Sequence, residues 1–141
     1  MNTPSPLTPS DLGLSQFQFD NLHKLLAYAK SHPETPFDMK YFMIRPDGVR
    51  ENYEHHPKPT YPCGTTCCLA GMGVFADINP EAHEYWNDYI DRVFTHHASN
   101  IFEYLFSEDH LNSLPHAIAR LEDFLANGLP QDVELTTHEV L

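Results

Sequence analysis

"TTCCLAGMGVFAD", residues 65–77, decides the fold. Small or apolar residues fill nearly every position around its helical wheel, and a helix that is apolar all round belongs inside a domain. Read from Thr65 onward, the stretch predicts a central buried helix. It carries Gly71 and Gly73, and a glycine inside a helix costs about 1 kcal/mol relative to alanine. A close approach of another backbone is the expected compensation. Cys67, Ala70, Gly71 and Val74 would form the slim face that permits it.

A buried helix needs covers, and the flanking segments supply them. "LSQFQFDNLHKLLAYAKSHP" (14–33) opens with Ser15 as N-cap and Gln18 three residues on, a capping box, with Leu14 placed to staple onto Phe19. Phe19, Leu22, Leu25, Leu26 and Ala29 follow at helical spacing, and "SHP" stops the helix. Downstream, "NPEAHEYWNDYIDRVF" (79–94) predicts a helix capped by Asn79 with Pro80 at its first position. Ala82, Tyr85, Trp86, Tyr89, Ile90 and Val93 would make its apolar stripe. "NIFEYLF" (100–106) reads as a short helix. "SLPHAIARLEDFLANG" (113–128) reads as a last one, running from Ser113 as cap to Gly128 at its C-terminal end.

Between the first helix and the central one, "DMKYFMIRPDGVRENYE" (38–54) changes period. Strand-type runs flank "RPDG", where Pro46 pre-sets a turn and Gly48 accepts positive φ, so a β-hairpin is expected at about 40–53. "HHPKPTYP" (55–62) is a loop. The expected whole is a mainly α domain of about five helices with a small hairpin, spanning 14–129. A flexible Pro- and Ser-rich leader at 1–13 precedes it, and an extended tail at 130–141 follows.

Composition narrows the function classes. The chain has 141 residues, 41% of them hydrophobic, enough to bury one core. No run approaches the roughly 18 apolar residues of a membrane helix. "MNTPSPLTPSD" has neither a charged n-region nor an apolar h-region, so a cytoplasmic setting with reduced thiols is expected. The charge is lopsided. Residues 1–76 carry seven acids against six bases, whereas 77–141 carry thirteen acids against only Arg92 and Arg120, a net of −11. Such a half repels phosphate backbones and anionic membranes, which excludes direct nucleic-acid binding, and it can meet a basic protein surface or serve solubility.

"PFDMKYF" (36–42) followed by "CGTTCCLAG" (63–71) resembles a group of small phage and bacterial proteins. These share Phe-Asp-Met, an aromatic shortly after, then Cys-Gly-Thr-x-x-Cys-(Ile/Leu)-Ala-Gly. The likeness runs over roughly residues 15–128, with the nine-residue core as its specific part. This chain differs in placing Cys67 and Cys68 side by side, in Met72 where the group often has Trp, and in a longer stretch between the motifs. The resemblance implies a phage or bacterial accessory protein and no particular reaction.

Three readings of the cysteines stay open. In the structural one, Cys63 or Thr65 caps the helix after a turn at Gly64, and the thiols are small buried hydrophobes with no disulfide among them. In the catalytic one, Cys63 at the helix N-terminus is a nucleophile with its pKa lowered there. His56, or alternatively His55 or His116, would be its base, and the Gly64 and Thr65 amides an oxyanion hole. In the metal reading, His55, His56, Cys63 and Cys67 surround zinc, a set that needs His96 or His97 to resemble a true zinc motif. The structural reading is preferred, with no metal and no cofactor. "GMG" (71–73) lacks the remaining features of a phosphate loop. Glu81, Glu84, Asp88 and Asp91, at i, i+3 and i+4 spacings opposite the Trp86 stripe, are the candidate partner-binding face, against the plainer reading of a solvated surface. The expected function is protein–protein interaction with a basic partner surface, one that could otherwise hold nucleic acid. The alternative is a cysteine-dependent hydrolase or transferase.

Overall fold

Ser15 does cap the first helix. Its Oγ accepts from the Gln18 backbone N–H and Gln18 Oε1 accepts from the Ser15 N–H, each at 3.1 Å. In the computed structural model, which describes residues 7–39, 43–44, 66–81, 84–96, 99–107 and 113–129, this helix is α1 (Gln16–Ser31). Leu22, Leu25 and Ala29 repeat at helical spacing and are fully buried. At its end the Ser31 hydroxyl donates to the carbonyls of Ala27 and Tyr28, and the His32 ring stacks on Tyr28 at 3.9 Å. The bond to Tyr28 satisfies a carbonyl of the last turn, which the helix itself leaves open.

The other elements are β1 (Met43–Ile44), β2 (Thr66–Cys67), α2 (Leu69–Phe75), α3 (Trp86–Val93), α4 (Asn100–Phe106) and α5 (Leu114–Asn127). The protein is a mainly α single domain in which α1 packs against α2, α3 and α5, while α4 rests on α5 and α2. On α5 the buried residues Leu114, Ala117, Leu121, Phe124 and Leu125 lie on one stripe, from the Ser113 cap to Gly128 at φ +80°. Full burial of each such Leu or Phe contributes about 1.5–3 kcal/mol. Two amides of α1 tie it to α3: Gln18 Nε2 donates to the Asp91 carbonyl and buried Asn21 Nδ2 to that of Val93, both at 3.0 Å. These carbonyls lie in the last turn of α3, where no intrahelical donor remains for them.

Four expectations are corrected here. The central helix starts at Leu69, not Thr65, because Thr66 and Cys67 are drawn into sheet pairing. Met43 faces Cys67 and Ile44 faces Thr66 in antiparallel register. On the other side, the Asp38 N–H donates to the Cys67 carbonyl at 3.0 Å and the Cys67 N–H to that of Pro36 at 3.2 Å. The described partner of Met43–Ile44 is therefore a distant strand. The turn and second strand of the expected hairpin at about 40–53 lie outside the described residues. Second, the helix expected from Pro80 begins only at Trp86, with Tyr85 in the N-cap position. Third, residues 7–13 of the expected leader form part of the core: Leu12 is buried, Leu7 packs against the same cluster, and a 3-10 turn spans Ser10–Leu12. The tail at 130–141 lies outside the described residues.

The fourth correction concerns what approaches the central helix. At Gly73 it is aromatic side chains, not a backbone. A Cβ on Gly73 would lie 2.7 Å from Phe94 Cζ and 2.9 Å from the Tyr89 hydroxyl. Phe94 in turn stacks on Phe106, with ring centroids 5.5 Å apart. After Phe75, the Asp77 N–H donates to Val74 and the Ile78 N–H to Gly73, a Schellman end with Asp77 at φ +68° in the left-handed position.

Candidate functional site

The two halves of the sequence motif meet in space. Phe37 is bridged to Cys67, and Met39, buried, joins the core cluster that holds Cys67 and Cys68. Cys67 is locked between two strand neighbours and has no exposed surface. Cys68 is the N-cap of α2, its Sγ accepting from the Gly71 N–H at 3.4 Å. A helix N-terminus ordinarily lowers a thiol pKa. Here burial wins. Desolvation pushes Cys68 up to about 11, with the negative charge of Asp38 adding to it, while the N–H groups of Gly71, Ala70 and Cys68 pull the other way. Burial raises Cys67 well above the ordinary thiol value too, and the charge of its neighbour Cys68 adds to this.

Cys67 and Cys68 are both free, and both are neutral packing groups at neutral pH. The thiol at the helix N-terminus is thus Cys68 and not Cys63, which precedes that cap by five residues. Cys63, His55, His56 and His97 lie outside the described residues. Among the described residues, no group of three or more His, Cys, Asp or Glu side chains is placed to hold a metal ion.

The acidic face comes apart into two kinds of residue. Glu84 is a buried structural carboxylate: its Oε2 accepts from Arg92 Nε at 2.8 Å, and its Oε1 accepts from Arg92 Nη2 and from the Glu81 N–H, each at 2.9 Å. Arg92 Nη2 also donates to the Asn79 carbonyl at 2.9 Å, so the pair clamps the arm leading into α3. A forked guanidinium–carboxylate contact has that holding power because two parallel bonds set its geometry. Glu84 is accordingly withdrawn from the partner-binding face, since the arm that carries it is not helical. Glu81 stays exposed, 3.8 Å from Arg92 Nε, and Asp88 is exposed in the first turn of α3. Asp91 is half-buried.

The second arginine of this half is unusual. Arg120 sits on α5 with Nε and Nη2 buried and without hydrogen-bond acceptors, the only such side-chain atoms among the described residues. Burial lowers its pKa, against the charge of nearby Tyr104. Both cations of residues 77–141 are therefore turned into the fold.

What sequence reading missed is the exposure of Tyr85 and Trp86, assigned to a buried stripe yet 45% and 38% exposed. No local signal marked it, since Ala82, Tyr85 and Trp86 share the helical spacing of the buried Tyr89, Ile90 and Val93. Among the described residues no helix is long and apolar enough to cross a membrane. The chain matches no protein-family model, no curated protein and no solved structure.

Proposed function

We propose that this protein acts by protein–protein interaction, its acidic C-terminal half engaging a basic surface of a partner. The observation that carries the reading is the fate of its two arginines. Arg92 is neutralised by Glu84 and Arg120 is drawn into the fold, whereas Glu81, Asp88 and Asp123 are exposed. Among the described residues of this half, the exposed Asp, Glu, Lys and Arg side chains are thus all acidic. Such a surface steers association with cationic partners and repels nucleic acid. A partner surface that otherwise binds nucleic acid would carry the complementary charge. The resemblance of the Phe-Asp-Met and Cys-Gly-Thr motifs to those of small phage and bacterial proteins supports reading the protein as an accessory factor of that kind, working in the cytoplasm.

The test is association kinetics with basic partners recovered from a bacterial lysate, measured across a salt series. Glu81→Gln with Asp88→Asn should slow association several-fold at low salt, and the difference should fade once screening shortens the field to about 8 Å at physiological ionic strength. Glu84 stays unchanged in this variant, since its loss would release the Arg92 clamp. Identical rates for the two proteins at every salt concentration would refute the reading.

A further inference from the structure

We infer that the first turn of α3 is the docking surface, and that its occupant is a basic amphipathic segment of the partner. This rests on the interaction reading above and names the chemistry of the contact. Trp86, Tyr89, Ile90 and Val93 lie at i, i+3, i+4 and i+7, a single apolar stripe. The last three are buried, while Trp86, at the head of the same stripe, is 38% exposed. The stripe therefore runs past the edge of the core and leaves one large aromatic partly uncovered. Tyr85 beside it is 45% exposed, and Phe17 is the one other large hydrophobic exposed among the described residues. Tryptophan and tyrosine are the residues that most often anchor interfaces, because they add large rigid area at small entropic cost.

Charge selects the occupant. Around the helix from Trp86, the polar side of the same turn carries Asp88, and the arm before it carries Glu81 with its side chain 71% exposed. Arg92 forks onto Glu84 and reaches Glu81 only at 3.8 Å. An incoming segment with an apolar side chain over Trp86 and a lysine or arginine one face away would cover the stripe and meet Asp88 and Glu81 together. A cation over Tyr85 would add about 0.5–1 kcal/mol by the ring's quadrupole. An acidic segment would be repelled, and a purely cationic one would leave Trp86 uncovered.

Trp86 is the only tryptophan of the chain, so its fluorescence reports this turn alone. The probes are three 18-residue peptides: one with leucine and lysine at helical spacing, an oligolysine, and a leucine–glutamate counterpart. The Leu/Lys peptide should give a saturable blue shift of Trp86, and the acidic one none. Glu81→Gln with Asp88→Asn should weaken Leu/Lys binding about three- to tenfold. Trp86→Ser, checked for folding by circular dichroism and followed by anisotropy of labelled peptide, should weaken it about tenfold or more. Oligolysine binding as tightly as Leu/Lys without moving the Trp86 emission would overturn the docking surface while leaving the acidic-half interaction standing. Failure of both basic peptides to bind would remove both. A blue shift that grows with protein concentration in the absence of peptide would assign the surface to a second copy of the chain and likewise overturn the proposal.

Discussion

Replacing Gly73 by alanine tests the packing of the central helix at its tightest point. The added methyl would sit 2.7 Å from Phe94 Cζ, 2.9 Å from the Tyr89 hydroxyl and 3.3 Å from Phe94 Cε2. Favourable carbon contacts fall at about 3.5–4.0 Å, so two of these distances are short by more than half an ångström. Neither neighbour yields easily. The Tyr89 hydroxyl is tied to the Ile78 carbonyl, and Phe94, fully buried, is backed by Phe106. Overpacking costs about 1–3 kcal/mol, and two contacts below 3.0 Å put this case in the upper half of that range, about 2–3 kcal/mol. Alanine returns about 1 kcal/mol through helix propensity, which leaves a net loss of about 1–2 kcal/mol and roughly 3–8 °C in Tm. Urea unfolding of the single variant measures this, and a double-mutant cycle with Phe94→Leu assigns it. Trimming the ring should relieve the clash, so Gly73→Ala in that background should be far less harmful or even stabilising. An unchanged midpoint in the wild-type background, or the same loss in both, would refute the close-approach argument.

Two further outcomes follow from the buried groups. Cys68 has its pKa raised from 9.0 to about 11, so the protonated thiol is favoured in the folded state. The stability it contributes is whole below pH 9 and is lost as pH rises through 11, about 3 kcal/mol for a shift of that size. Cys68→Ala should remove that share of the alkaline loss, leaving the part due to Cys67 and Tyr89, and equal slopes for the two proteins between pH 9 and 11 would disprove it. Arg120→Met should leave stability unchanged or raise it by up to about 1 kcal/mol, since it replaces guanidinium nitrogens lacking acceptors by an apolar chain. A clear drop in the denaturation midpoint would show that the guanidinium has an energetic partner after all.

Helices α1 and α5 were legible because local and global signals agree in them. The capping box, the Ser113 cap, Gly128 and a clean apolar period all point to the same boundaries. The start of α2 was not legible, since Thr66 and Cys67 are claimed by strands 22 or more residues away in the sequence, a contact that no local propensity encodes. The start of α3 was misplaced for a related reason. Asn79 and Pro80 are good helix openers, but the Arg92–Glu84 clamp ties Asn79, Glu81 and Glu84 together outside any helix. That clamp also explains why spacing failed at the acidic face: i+3 and i+4 describe neighbours only where the backbone is helical. The cysteine segment drew the strongest chemical readings, yet its two described thiols are buried by packing partners that the motif itself does not contain.

The acidic surface and the exposed aromatics constrain one another. A half-chain net charge of −11 destabilises the compact state by self-repulsion, so it needs a return. Solubility is one such return, and acidic residues serve it well. A surface shaped for solubility alone, however, keeps large aromatics inside, because each exposed one favours the association that the charges oppose. Here Trp86 leads an apolar stripe whose remaining members are buried, and it is exposed within two residues of exposed Asp88. Both cations of the half are meanwhile committed to the fold, one to Glu84 and one to burial. Solubility accounts for the charges and leaves Tyr85 and Trp86 unexplained. A generic sticky patch accounts for the aromatics and leaves the charges unexplained. A basic amphipathic partner, as proposed, would account for both: its cations would answer Glu81 and Asp88 while its apolar face completed the stripe that α3 leaves open.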